Sequence, residues 1–447
     1  MTNNQHKTPS PLYANYVLSL LLTAYILSFV DRQVLSLLVG PIRQDFNISD
    51  FEFSLLHGFA FAIFYTFMGL PIGRLVDQYN RTRIISVGVL VWSLMTCLCG
   101  LASNFTQLFL TRIGVGVGEA SLSPAAYSLL SDYFPPEKLA RAISIYAMGI
   151  TLGGGLAFMI GGQVYDYFLL HPHLSLPLMD PLSAWQNTFI AVGLPGFVMT
   201  ALLLTLREPR RRNSLEQNAK GKEQEPISAI PVREVIQYLK DNRKLYYSLI
   251  LGTSMMSIIG YGSLAWYPEF LQRSHGLSKS DSGTVFGMLF VVAGTLGTFC
   301  GARFAEMLRA RGFLDAELRL IMLLAIVTCA PAVLAPLMPS VELTLLLAAP
   351  MLFLHYAHFG VAIAALQLIT PNQMRGQVSA LLLFMSNILG LALGGSFIAF
   401  CTDFIFGYDE ALYLAIALVS TLCYPLAAYL YSSGLKDYKS QLASVTG

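Results

Sequence analysis

Charge is what this sequence has least of. Only 12% of its 447 residues are Asp, Glu, Lys or Arg, about half of the roughly 25% that soluble domains carry. The net charge is +2, so no field of one sign argues for a nucleic-acid partner. Cysteine is sparse too. Cys97, Cys99, Cys300, Cys329, Cys401 and Cys423 all lie in or beside apolar segments and read as small core hydrophobes. Cys97-x-Cys99 has no further His or Cys at zinc spacing, so neither a disulfide nor a metal site is expected. Gly-x-Ser-x-Gly, a Walker loop and a His-rich interfacial motif are all missing, which argues against an enzyme and leaves no motif for a cofactor.

What is present is hydrophobic sequence, 55% of the chain, arranged in blocks of about 20 residues, the length an α-helix needs to cross a bilayer. Twelve spans are expected near 16–38, 53–72, 84–103, 107–130, 142–163, 185–206, 245–267, 281–302, 318–338, 342–369, 378–400 and 409–432. The first follows a polar start without a small-residue cleavage pattern, so it reads as a retained helix and not a signal peptide. The fold class is an all-α membrane protein of twelve transmembrane helices in two six-helix halves, 1–206 and 245–447, joined by a polar linker, 207–244. That linker opens on the basic run Arg207–Arg212, chiefly a topology signal, which could also touch anionic lipid headgroups. Residues 231–241 suit a short interfacial helix. Gly149, Gly153, Gly154, Gly155, Gly161 and Gly162 leave one face of span five nearly bare, a pattern for close helix contact. Of the 28 Lys and Arg, Arg32 and Arg112 fall within spans. Only Arg43, Arg273 and Lys279 fall on the side away from the N-terminus. The positive-inside rule then puts both termini in the cytoplasm of an inner membrane.

The rare charges inside spans carry the chemistry. Asp31-Arg32 sits in span one; Arg112 and Glu119 sit in span four. A charge at bilayer depth costs about 2.5–3.5 kcal/mol on insertion scales, so such residues are usually retained for a task. Seven residues of helix come within about 20° of two full turns, so Arg112 and Glu119 share a face, roughly 10 Å apart along the axis. Antiparallel packing brings Asp31, Arg32 and Arg112 to a similar depth, with Glu119 near the midplane. The four form a neutral cluster that one proton or one anion unbalances. Asp31 and Glu119 are read as proton-coupling residues, Arg32 and Arg112 as substrate-binding residues for an anion, in a solvent-reachable hollow. A sealed structural ion-pair network is the alternative. Tyr25, Tyr65 and Asn387 are candidate cavity residues. His355 and His358 share a helix face but lack further metal ligands, and read as packing. His57 reads as a satisfied interfacial histidine. Trp266-Tyr267-Pro268-Glu269 closes span seven as part of an outer gate or an interfacial aromatic belt.

The two halves repeat faintly. Loop 2–3 runs from Gly73 through Asp77 and Asn80 to Arg81 and Arg83; loop 8–9 runs from Ala302 through Glu306 to Arg309 and Arg311. Internal duplication is how many secondary transporters are built. Twelve spans, a central loop and Gly-x-x-x-Asp-x-x-x-Arg-x-Arg after span two resemble the major facilitator superfamily. That family usually has Gly where this chain has Asn80, and Asn tolerates the left-handed conformation such a turn needs. Phe29-Val30-Asp31-Arg32 with Leu35, then Gly118-Glu119-Ala120-Ser121 with Pro124, and Ser131-Asp132-Tyr133-Phe134, are similar to the spinster branch. The resemblance implies a proton-linked, alternating-access transporter of an anionic amphiphile, a lysophospholipid or a sphingosine 1-phosphate-like lipid. Its partners are then that small-molecule or lipid substrate, protons and membrane lipids, and the chain is read as a monomer. It also implies a conformational lock at Gly73, Asp77, Arg81 and Arg83. Asp-Arg in span one and Gly-x-Glu-Ala in span four also resemble proton-coupled symporters of small organic anions such as sugar acids, the alternative function. An integral-membrane lipid enzyme and a ligand sensor that moves nothing are the readings outside transport.

Overall fold

The computed structural model describes residues 10–172, 182–209, 231–371 and 373–446. The middle of the expected linker, with Arg210–Arg212, lies outside them. The described residues form helices, with no strand among them. They are α1 Pro11–Gln33, α2 Val39–Phe46, α3 Asp50–Ser54, α4 Ala60–Gln78, α5 Arg81–Cys99, α6 Phe105–Glu119, α7 Leu122–Tyr133, α8 Pro136–Ala147, α9 Gly149–Leu170 and α10 Ala184–Leu204. There follow α11 Val232–Asp241, α12 Arg243–His275, α13 Lys279–Leu289, α14 Thr295–Ala310, α15 Ala316–Leu334, α16 Val341–Ile369, α17 Arg375–Ser386, α18 Gly394–Phe400 and α19 Leu412–Thr446. Tight 3-10 turns and wide π turns join several into single spans. The spans at α1, α3–α4 and α13–α14 each contain one, the first at Val34–Leu37 and the second at Leu55–Phe59, and the span at α17–α18 contains two, Asn387–Ala392 and Cys401–Phe406.

Eleven helical segments among the described residues are long and apolar enough to cross a membrane. The expected span 107–130 falls short of that length because it is two helices, α6 of 15 residues and α7 of 12. The break is local chemistry. Pro124 has no N–H to return to the Ala120 carbonyl, and the Ser121 hydroxyl bonds back to Gly118 O at 2.9 Å. Glu119 is thus the last residue of a helix and not part of a continuous one. The expected short helix at the end of the linker is α11.

Helix starts follow their capping residues. Ser10 accepts from Tyr13 N ahead of Pro11, and Ser49 and Glu52 form a reciprocal capping box on α3. Asn80 does not take the left-handed conformation expected of it. Its backbone is extended, and its side chain caps α5 by accepting from Arg83 N at 2.9 Å. The left-handed asparagine is Asn47, at φ 49°, which ends α2.

The chain forms two compact units. The first contains residues to Val34, Ile63–Ala157 and Val164–Pro226. Here α5 packs along α10 and α6, and α1 packs on α10, α8 and α7. The expected glycine contact is observed. A Cβ on Gly149 would stand 2.8 Å from the Tyr25 ring, and one on Gly153 would stand 2.9 Å from Ile26 O. The second unit contains Leu35–Ala62, Phe158–Gln163 and everything from Ile227 onward. Here α12 and α15 pack along α19, and α16 packs on α14 and α15. Residues 35–62 and 158–163, which precede the linker, are therefore packed with residues that follow it.

Helix α6 crosses α5 so closely that a Cβ on Gly118 would lie 2.7 Å from Trp92 N and 2.8 Å from Gly88 O. Backbone atoms cannot step aside, and overpacking costs about 1–3 kcal/mol. Gly118→Val should lower the thermal unfolding midpoint in detergent. Gly69→Ala, where nothing lies within 4 Å, should not lower it.

Candidate functional site

The charged cluster is assembled by α1, α5 and α6 of the first unit. Ser28 and Arg32 lie one turn apart on α1 and reach the same atom. Arg32 Nη2 donates to Glu119 Oε2 at 2.6 Å, and Ser28 Oγ donates to it at 2.8 Å. Glu119 Oε1 has no hydrogen-bond partner among the described residues. Arg112 Nη1 points back at α1 and meets the Asp31 carbonyl at 3.4 Å. The Asp31 carboxylate faces Trp92 and Thr96 of α5. All four expected residues are brought together, but not as a solvent-reachable hollow. Asp31 is 3% exposed, Arg32 5%, Arg112 0% and Glu119 2%. The cause is close packing: the glycines of α6 let it approach α5, and those of α9 let it approach α1.

Aromatic rings cover Arg32. Its guanidinium carbon is 4.8 Å from the Phe29 ring centroid and 5.1 Å from that of Tyr65, within the range in which a cation is attracted to a ring face. Tyr25 stacks on Tyr146 at 4.6 Å and meets Phe29 edge-on at 5.3 Å; Tyr127 meets Tyr146 edge-on at 5.4 Å. Tyr25 and Tyr146 are buried, Tyr65 is half-buried, and Tyr127 is 41% exposed. The aromatic group thus runs from the covered Arg32 to an exposed ring. Tyr25 and Tyr65 were expected here. Ser28, Tyr127 and Tyr146 were not, although Ser28 is four residues from Arg32 and so on its face. Asn387 belongs to the second unit, half-buried at the start of the π turn Asn387–Ala392.

The loop 2–3 residues separate into two kinds. Gly73 is half-buried, and Asp77 and Arg83 are exposed. Arg81 is 1% exposed and holds its own unit together. Its Nη1 donates to Asp132 Oδ2 at 2.5 Å and to Ser128 Oγ at 2.9 Å, its Nε to Glu208 Oε1 at 2.6 Å, and its Nη2 to Pro209 O at 3.2 Å. Five donors in a rigid plane suit an arginine to this many acceptors. Nothing in the sequence spacing pointed to Asp132 or Glu208 as its partners.

The histidines are packed as read. His355 Nδ1 and the Tyr424 hydroxyl are 3.1 Å apart, and His57 Nε2 and Ser36 Oγ are 2.9 Å apart. Asp50, Asp403 and Asp409 bring carboxylate oxygens within 4.8 Å of one another, a spacing open to a cation. Arg43 and Arg273 already donate to Asp50 and Asp409, so the arginines fill the place a cation would take.

The chain matches the Major Facilitator Superfamily over residues 21–395. It is 26% identical over 417 residues to an MFS-type efflux pump of Mycolicibacterium smegmatis, covering 91% of this chain and 90% of that protein. It is 25% identical over 321 residues to a probable L-galactonate transporter of Escherichia coli, covering 70% of this chain and 66% of that one. Human protein spinster homolog 1 is 29% identical over 321 residues, covering 67% of this chain; the chain spans 56% of that relative's length. Among solved structures, a bacterial homolog of the human lysosomal transporter Spinster, inward-facing and unoccupied, superposes with a TM-score of 0.79 at 28% identity, covering 97% of this chain and 98% of the other. The helical fold and these likenesses make it a multi-pass membrane carrier similar to spinster proteins, and the chain belongs to the Major Facilitator Superfamily.

Proposed function

We propose that this transporter moves an anionic amphiphile, of the lysophospholipid or sphingosine 1-phosphate type, by alternating access linked to protons. Arg32 holds the headgroup, and Glu119 is the carboxylate it leaves to do so. The observation that carries the reading is the divided environment of Arg32, with one carboxylate oxygen on its edge and two aromatic rings on its faces. A proton on Glu119 replaces a charge–charge bond by a weaker one and takes the four-residue cluster from neutral to +1. The guanidinium fork then favours a phosphate or carboxylate, and Phe29, Tyr25 and Tyr65 offer apolar surface beside it. Asp31, covered by Arg112 and α5, is the second proton site. Arg112, fully buried behind Asp31, acts as its counter-charge and not as a headgroup ligand. The likeness to an efflux pump supports export. The likeness to a probable L-galactonate transporter supports the second reading, proton symport of a small sugar acid at the same arginine.

The chain is placed in the inner membrane as a monomer with both termini cytoplasmic, and the loop 2–3 acid Asp77 is assigned to a cytoplasmic lock. Arg83 and Gly73 belong to that lock's loop; Arg81 anchors it from within the first unit.

Flux of a fluorescent lysolipid should rise with a proton gradient in liposomes of the wild type. It should lose that dependence in Glu119→Gln and Asp31→Asn, and fall sharply in Arg32→Ala. PH-dependent flux at the wild-type level in both carboxylate variants overturns the coupling. Gradient-driven uptake of sugar acids without lysolipid competition selects the second reading. Removing one partner of a buried ion pair costs about 3–5 kcal/mol, so Arg81→Ala should destabilise the protein strongly in thermal unfolding, while Arg83→Ala should change it by no more than about 0.5 kcal/mol. Asp77→Asn should raise the fraction labelled from the cytoplasmic side, read by cysteine accessibility at the lock.

A further inference from the structure

We infer that the second unit contains an outer gate, closed here, whose arginines fall back on partners of their own side on opening so that no buried charge is abandoned. The word outer rests on the orientation proposed above. The gate lies between residues 35–62 with 158–163 on one side and the chain after 227 on the other.

Two fork-shaped bonds cross this seam. Asp50, fully buried at the first turn of α3, receives Arg273 Nη1 and Nη2, each at 2.7 Å. Arg43 of α2 donates to both oxygens of Asp409, at 2.7 and 3.1 Å. Each arginine also has a partner on its own side. Arg43 Nη1 lies 3.0 Å from Asp50 Oδ1, and Arg273 Nε bonds Glu269 Oε1 at 2.8 Å, one turn back on α12. When the seam parts, Asp50 keeps Arg43 and Arg273 keeps Glu269. Glu269 Oε2, buried and without a hydrogen-bond partner among the described residues, is then in place to complete a two-pronged bond. Asp409, with its side chain half-exposed at 52%, passes to water. A polar cavity of about 480 Å³ lined by Arg43, Glu269, Arg273 and Asp409 lies beside the network and admits the solvent that opening requires.

Beneath the charges the seam is closed by edge-on aromatic contacts, Phe53 on Trp266 with ring centroids 6.0 Å apart and Phe158 on Phe286 at 5.2 Å, and by close backbone approaches. Ser54 Oγ bonds Ser396 Oγ at 3.0 Å. A Cβ on Gly58 would stand 2.6 Å from Leu391 O, one on Gly162 2.4 Å from Lys279 O, and one on Gly283 2.2 Å from Phe158 O. Backbone-to-backbone crossings of this kind join closely without salt bridges of their own. A lone buried carboxylate would make parting costly; the paired arginines remove that cost on both sides.

The test uses Ser54→Cys in the full chain, with the six native cysteines replaced by alanine, in right-side-out vesicles treated with a membrane-impermeant maleimide. Labelling is low in that parent and rises several-fold on adding Asp50→Asn. Asp50→Glu, which keeps a carboxylate for both Arg43 and Arg273, leaves it near the parent's level, and an unchanged gel-filtration profile of Asp50→Asn shows that the fold survives. Glu269→Gln leaves labelling low but slows lysolipid flux, because the opened state has lost a partner. Equal labelling in all variants, with flux at the parent's level, overturns the gate. A rise seen only from the cytoplasmic face overturns the orientation and leaves the fall-back of the arginines standing.

Discussion

The first unit depends on one bond between Arg32 and Glu119. Both residues are almost wholly removed from solvent, in a chain whose surroundings offer few other charges. Glu119 ends α6, where the helix dipole is negative and gives a carboxylate no help. Its charge therefore relies on the guanidinium and on Ser28. The same bond ties α1 to α6, so the group proposed to answer to a proton is also a structural clamp. In the proposed function, protonation and ligand binding act on the same pair of atoms that holds the two helices together.

Elsewhere charge follows the same rule. Arg81 is buried with Asp132 and Glu208, and Asp50 with Arg43 and Arg273. Each buried carboxylate or guanidinium in these groups has at least one partner of opposite sign, as a low-dielectric interior demands. Arginine does this work because its planar fork serves several acceptors at once and stays charged. The three groups differ in what they hold. The Arg81 group fastens the end of α10 to α5, the Arg32 group fastens α1 to α6, and the Asp50 group joins segments that lie more than two hundred residues apart.

Irregular helix geometry falls at the points where these groups meet the chain's division into units. The chain passes from the first unit to the second at Val34–Leu35, inside the 3-10 turn that follows Asp31-Arg32-Gln33. It returns at Ala62–Ile63, just after the π turn Leu55–Phe59. Such turns loosen the regular hydrogen-bond ladder and often mark hinges or functional sites. Pro124 and Ser121 interrupt α6–α7 directly after Glu119. A helix that is continuous in hydropathy is thus divided beside its buried carboxylate.

Hydropathy and charge placement in the sequence determined the membrane class, the twelve-span plan, the in-span residues Asp31, Arg32, Arg112 and Glu119, and the glycine face of α9. These are local or periodic signals, and a helix of fixed pitch turns spacing into facing. Only the tertiary structure decided that the cluster is covered, that Arg32 meets the Phe29 and Tyr65 rings, that Arg81 belongs to Asp132 and Glu208, and that Asp50 meets Arg273. Partners separated by 51, 127 or 223 residues leave no periodic trace in a single chain. Burial depends on how closely neighbouring helices approach, which is set by backbone contacts such as Gly118 on Trp92. A sequence displays which side chains are charged; the approach of the helices determines which of them meet water.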